Sequence, residues 1–360
     1  MSKFFSYFLV FVMPALLFGF SGWYLAKYPL KSTLIPQTVK EKLRPLDKFT
    51  YDALSNRNWE VTPMQIEGPL EYKPTTIRPP YKFNSHIFST TVNNKKVTGQ
   101  INIPTTTLAL KGETLKGYPV ILMLRGYAPL ENYQTGVGTR PSAAVFAQNG
   151  FVTVAPDFFG YGGSDPRSTD EMEARFESYV IALQLLYNLS RTSELLFGTT
   201  HYPLITNHLF LWGHSNGGHL AIATLEMANH SPSFAGQTFP TVLWAPVSKP
   251  FPYSVLVYED EADDLGKQQR KSLSNFEADY DANLYSVHNY LDWLQSPIQL
   301  HQGTADEEVP YWWSKDFANN LKSRKKDITL FLYSGANHNL TPAWNTAISR
   351  TLSFFKTHIK

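Results

Sequence analysis

The stretch His208 to Met227, HLFLWGHSNGGHLAIATLEM, most narrows what this chain can fold into. An apolar run, Leu209 to Trp212, meets a glycine-flanked serine, and Leu220, Ala221, Thr224 and Leu225 then recur at helical spacing. Gly213-His214-Ser215-Asn216-Gly217 fits G-x-S-x-G, a sharp strand-to-helix turn that holds its serine in a strained conformation above the end of a strand. Side chains two before and two after the serine collide in such a turn, so both positions favour a residue without a Cβ. An uninterrupted apolar strand feeding a helix belongs to a parallel sheet covered on both faces.

The rest of the chain supplies more of that pattern. Ser85 to Val92 and Val97 to Ile103 alternate as a hairpin around Asn93-Asn94. Val120 to Leu124, Phe151 to Ala155, Thr241 to Ala245, Ile298 to Gln302 and Thr329 to Tyr333 read as further strands. Helices are expected at Pro141 to Asn149, at Thr169 to Ser190, and from Thr341-Pro342 onward, where Trp344, Ile348, Leu352 and Phe355 share a face. Strands alternating with helices predict an α/β domain, a mostly parallel sheet with helices on both faces, over residues 86–360.

Phe4 to Ala26 carries no charge and is long enough to cross a hydrocarbon core, with Trp23, Tyr24 and Lys27 as an interfacial anchor. Residues 1–27 are therefore expected to be an uncleaved single-pass membrane anchor; the alternative is a secretory signal peptide with a weak site at Gly19-Phe20-Ser21. Only Lys3 precedes the segment while Lys27, Lys31, Lys40, Lys42 and Arg44 follow it, which leans toward a cytoplasmic body against the usual exported use of such anchors. Residues 28–85, with eight prolines among polar residues, read as an extended arm.

Composition removes several functions. A formal charge of +2 gives no basic field for nucleic acid, and zero cysteines remove disulfides, thiolate catalysis and Cys-based metal sites. No cofactor or metal motif is present, and none is expected.

In a parallel sheet, reacting groups gather at the carboxyl ends of the strands. HQGTADEEVP places Asp306 after Ile298 to Gln302, and YSGANHNL places His338 after Thr329 to Tyr333. The order Ser215, Asp306, His338 is that of the α/β-hydrolase fold: a nucleophile, an acid that orients, and a base that takes the serine proton and returns it to the leaving group. Charge developing on the acyl oxygen needs fixed donors, for which the expected pair is the backbone N–H of Asn216 and that of Tyr127 in the glycine loop after Val120 to Leu124.

GHSNGG at 213–218, SPIQLHQGTADEEVP at 296–310 and YSGANHNL at 333–340 resemble the catalytic domain of the prolyl oligopeptidase family of serine peptidases, over roughly residues 97–358. Arg125-Gly126-Tyr127 stands where many members have His-Gly-Gly, Gln302 stands where a histidine often precedes the glycine, and the amino-terminal β-propeller of the family has no counterpart. The resemblance implies a serine-type peptidase acting on short peptides. A carboxylesterase on small esters is the alternative, and a catalytically inactive hydrolase fold that only binds is the alternative of another class.

An insertion at about 247–295 is expected to cap the site. It carries Tyr253, Tyr258, Glu259, Asp260, Glu261, Asp263 and Asp264 and then basic residues from Lys267 to Lys271, a pattern that reads as a solvated, internally paired helix face. The other reading, suggested by resemblance to relatives that select a free amino terminus, is a handle for a cationic group on the substrate.

Overall fold

The structure, a computed structural model, describes residues 43–110, 112–197, 199–258 and 264–359. The strands in chain order are β1 (Gln65–Pro69), β2 (Phe83–Val92), β3 (Lys95–Pro104), the short pair β4 (Ala109–Leu110) and β5 (Glu113–Thr114), β6 (Tyr118–Leu124), β7 (Val152–Pro156), β8 (Glu194–Phe197), β9 (Thr200–His214), β10 (Thr241–Trp244), β11 (Ile298–Gly303) and β12 (Ile328–Tyr333). The helices are α1 (Tyr51–Ser55), α2 (Arg140–Gln148), α3 (Glu171–Arg191), α4 (Asn216–His230), α5 (Tyr253–Leu256), α6 (Lys267–Asp279), α7 (Tyr311–Ser323) and α8 (Trp344–Thr357).

The main sheet runs β1-β2-β3-β7-β6-β9-β10-β11-β12, with β8 attached to β9. The pairs from β1 to β7 are antiparallel, and those from β7 through β6, β9, β10 and β11 to β12 are parallel. Period-two alternation sorts the central strands between two cores. Leu122, Leu124, Leu209, Leu211 and Leu243 point into one with α3, α4 and α7, while Ile121, Met123, Phe210, Trp212 and Trp244 point into the other with α2 and α8. That double burial is why these strands read as unbroken apolar runs. α3 starts at Asp170, whose carboxylate accepts the Glu173 N–H at 2.8 Å, and it buries Phe176, Tyr179, Val180 and Leu183.

Three expectations need correction. From Pro45 onward the stretch expected to be an extended arm is part of the domain: Phe49, Tyr51, Leu54 and Trp59 are buried in the main core and β1 adds a strand to the sheet. Burying such side chains stabilises by roughly 1.5–3 kcal/mol each, far more than a solvated spacer gains. The last helix begins at Trp344 rather than at Thr341-Pro342. The Thr341 N–H instead donates to the Asn337 side chain, and its carbonyl accepts the Asn337 N–H, which ties the residue into the loop carrying His338. β9 is also much longer than the expected His208–Trp212, because its first half pairs antiparallel with β8.

The expected membrane anchor lies outside the described residues, as do Glu259 to Asp263 of the acidic run. Among the described residues no helix is long and apolar enough to cross a membrane.

Candidate active site

Ser215 sits between β9 and α4 with φ 58° and ψ −124°, a left-handed conformation for a residue with a Cβ. Strain of this kind costs about 1–3 kcal/mol and persists only where the surroundings impose it. Here they do, because the Ser215 N–H donates to the Trp244 carbonyl at 3.0 Å and its carbonyl accepts the Val247 N–H at 3.0 Å, fastening the turn to the end of β10. The flanking glycines are required by space. A Cβ on Gly217 would stand 2.0 Å from the Leu124 carbonyl oxygen, and one on Gly213 would stand 2.4 Å from the Gly217 oxygen.

His338 and Asp306 come together from the loops after β12 and β11. The imidazole Nδ1 lies 3.1 Å and 3.0 Å from the two carboxylate oxygens of Asp306. Oδ1 also accepts the Glu308 and Val309 N–H groups at 3.0 and 2.9 Å, and Oδ2 accepts Gln302 Nε2 at 2.7 Å. Burial pushes the Asp306 carboxyl up, but the hydrogen bonds from His338, Val309 and Gln302 outweigh it and hold the group below its ordinary range. With Nδ1 committed to Asp306, His338 has Nε2 left for chemistry. Ser215 and His338 line one cleft of about 680 Å³, together with Gly126, Tyr127, His214, Glu307 and Glu308.

Of the two expected oxyanion donors, Tyr127 borders this cleft and Asn216 follows Ser215 directly in the chain. Asn216 is the first residue of α4, so its N–H has no carbonyl partner within the helix. Gly126 packs so closely on Ser215 that a Cβ there would stand 2.9 Å from the serine Cβ. The Tyr127 side chain is 82% exposed, so what this residue holds fixed beside the serine is backbone rather than ring.

Three residues around the site were not among those expected to shape it. Arg125 is buried, donates to the Gly126 carbonyl at 2.9 Å and the Asp157 carbonyl at 3.0 Å, and stacks 4.2 Å from the Tyr161 ring centre. Because the Gly126–Tyr127 peptide is planar and trans, fixing that carbonyl also fixes the Tyr127 N–H, pointing away from the guanidinium. The arginine thus grips the loop through its backbone. Gln302, noted in the sequence only as a departure, is oriented by Ser314, whose hydroxyl donates to Oε1 at 2.7 Å, so the amide nitrogen faces Asp306. His214, the variable position of the motif, donates Nε2–H to the His338 carbonyl at 3.1 Å, and the two rings lie 4.7 Å apart. A polar residue beside a nucleophile is the only sequence signal that could have marked it.

Burial, and then the neighbouring His338, push His214 down to about 4. Burial likewise pushes His219, on α4, down to about 3, and His301, enclosed between Tyr333 and Gln299 on β11, down to about 3. A folded-state pKa below the unfolded value near 6.5 means stability that is present above 6.5 and lost as pH falls toward the folded values. Glu226 has the opposite sign: burial raises it, so its contribution is present below the ordinary carboxylate value and lost as pH rises through the raised one. The melting temperature is therefore expected to fall steadily from pH 6.5 to 4, with net proton uptake on unfolding in that window. A flat melting temperature between pH 7 and 5 would contradict buried neutral imidazoles.

Comparison with known proteins gives a family match over part of the chain. Residues 200–360 match the prolyl oligopeptidase family. This makes the chain a serine hydrolase. The matched residues contain the Ser215 turn, Asp306 and His338. No curated protein matches the sequence. Among solved structures, this hydrolase is similar to acetyl xylan esterase 1 of a Thermoanaerobacterium species, at 13% identity and TM-score 0.55 over 88% of this chain and 94% of that one. It is also similar to a Mycobacterium tuberculosis puromycin-hydrolyzing peptidase, at 16% identity and TM-score 0.55 over 78% of this chain and 40% of that one. For Porphyromonas gingivalis dipeptidyl peptidase 4 the values are 16% and 0.52, over 76% of this chain and 35% of that one. The chain thus spans about two fifths or less of these two peptidases. At such identities the likeness is one of fold.

Proposed function

We propose that Ser215, His338 and Asp306 form a catalytic triad that hydrolyses short peptides through an acyl-enzyme. The observation that carries this is a serine on a strained elbow in the same cleft as a histidine whose Nδ1 is held by a buried carboxylate. Ser215 Oγ attacks the scissile carbonyl carbon as its proton passes to His338 Nε2, leaving an oxyanion that the Asn216 and Tyr127 N–H groups receive. His338 then gives the proton to the departing nitrogen as the C–N bond breaks. A water molecule, deprotonated by the same histidine, attacks the ester and frees Ser215.

The second reading is a carboxylesterase. It is favoured by the fold neighbours, since this chain spans almost all of the acetyl xylan esterase but about two fifths or less of the two peptidases. The acyl-enzyme chemistry is shared, and an ester is the easier substrate because its leaving group needs less protonation. The deciding measurement is kcat/KM for peptide and ester substrates carrying the same acyl group. Cleavage of both is expected. If simple esters turn over and no peptide is cleaved, the peptidase assignment falls and the esterase stands.

A further inference from the structure

A second cavity, of about 380 Å³, lies beside the cleft that holds Ser215 and His338. Gly126 and Tyr127 border both, and Asn216 borders only the second, so the expected oxyanion donors stand along the boundary. The deeper wall comes from α3 and α4 and includes Arg175, Tyr179 and His219, with Gln269 of the inserted helix α6 at its edge.

The charges in this wall are unevenly matched. Glu177 is paired with Lys95 at 2.8 Å, and Glu171 with Arg167 at 3.3 Å. Arg125 uses Nη1 and Nη2 on the Gly126 and Asp157 carbonyls, while its Nε is buried without a hydrogen-bond partner among the described residues. Glu173, on the same helix, is paired with Lys48 at 2.9 Å. Every nearby carboxylate of α3 therefore already has a cation, and none of these pairs involves Arg175. Its guanidinium lies 5.7 Å from the Phe251 ring centre and hydrogen-bonds the Tyr179 hydroxyl, and among the described residues its Nε is buried without a hydrogen-bond partner. The groups behind it do not neutralise it: burial raises the Glu226 carboxyl of α4 and so favours its neutral form, and no hydrogen bond among the described residues joins it to Arg175. His219 Nδ1 donates to the Val247 carbonyl at 3.0 Å, so its Nε2 accepts the Tyr179 proton at 3.1 Å, and both groups stay neutral. An unpaired guanidinium in a half-enclosed cavity is costly unless something anionic occupies the cavity.

The chemistry of Ser215 says which end of a substrate goes there. His338 must protonate the leaving group, so the leaving group lies on the His338 side, in the first cleft. The acyl chain then extends past the oxyanion donors into the second cavity. Resting on the triad reading, we propose that this cavity is the acyl pocket and that Arg175 makes the enzyme select acyl groups bearing a carboxylate.

The test uses the full-length protein and the α-ethyl esters and α-p-nitroanilides of N-acetylglutamate and N-acetylglutamine, pairs that differ in charge and hardly in shape. The glutamate member is expected to have the higher kcat/KM by about tenfold or more, the scale of one charge-assisted hydrogen bond. Arg175→Gln should bring the ratio to about one, and Arg175→Lys should restore part of it. A binding arm needs no turnover: calorimetry on Ser215→Ala with the α-amides of the same two acids should show the same preference, lost in Ser215→Ala/Arg175→Gln. If the wild type reacts with a fluorophosphonate at Ser215 yet shows no preference for the charged member, the acyl-pocket inference is wrong and the triad stands. If Ser215 does not react with the probe, the triad reading fails, and equal binding of the two amides would then remove the anion site as well.

Discussion

Ser215→Ala is expected to abolish hydrolysis and labelling by a fluorophosphonate probe, with kcat reduced roughly a millionfold, the scale seen when a serine nucleophile is removed from a triad. The protein should stay folded. Alanine keeps the Cβ that the turn already accommodates, and the serine hydroxyl makes no side-chain cap hydrogen bond to α4. The elbow is held by backbone contacts to Trp244 and Val247 that the substitution leaves in place, so the melting temperature should change by no more than a surface mutation would cause, about 0.5 kcal/mol in stability. The wild-type arm separates enzyme from inactive binding fold: a chain that only binds would leave the probe unreacted. Labelling of Ser215→Ala at the wild-type rate would place the nucleophile elsewhere and sink the assignment.

The sequence revealed the parts of this molecule that depend on local repetition. The apolar strands were readable because β6, β9 and β10 are buried on both faces, and the elbow because Gly213 and Gly217 answer a steric demand that no other residue meets. Asp306 and His338 could be found because a parallel sheet brings the ends of consecutive strands together. Residues whose role depends on a distant partner were not readable. Arg125 acts by reaching the Asp157 and Gly126 carbonyls, and a lone arginine after a strand gives no sign of that. The same limit hid the amino-terminal segment: eight prolines between residues 28 and 85 suggested a spacer, while Phe49 and Tyr51 become core only once α3 packs on them and Trp59 only once Arg57, held by Asn93, covers its ring. Aromatic residues recurring among the prolines were the available signal. The second cavity was hidden for the same reason, since α3 reads as an ordinary core helix and only the finished fold sets Arg175, with no carboxylate partner among the described residues, in one cavity with Asn216.

Asp306→Asn is expected to lower kcat by about 10⁴-fold with KM changed only a few-fold, an effect out of proportion to the loss of one oxygen. The reason lies in the polarity of its surroundings. Every group that touches the carboxylate is a donor: the Glu308 and Val309 N–H groups on Oδ1, Gln302 Nε2 on Oδ2, and His338 Nδ1 on both. An asparagine must leave its oxygen with the two backbone donors, which turns its NH₂ toward Gln302 and His338. Gln302 cannot rotate to accept it, because Oε1 is held by Ser314 and Nε2 also faces the Gly303 and Val309 carbonyls at 3.2 Å. The strain falls on His338, which must present an unprotonated Nδ1 to the new amide and carry its proton on Nε2. In that tautomer the nitrogen facing the cleft is a donor and cannot take the Ser215 proton. The signature is therefore a loss in kcat and in the rate of fluorophosphonate labelling together, while a nonreacting substrate analogue binds Asp306→Asn nearly as well as wild type. Retention of more than about a tenth of wild-type kcat by Asp306→Asn would mean that His338 does not depend on Asp306 for its tautomer, far from the scale known for such triads.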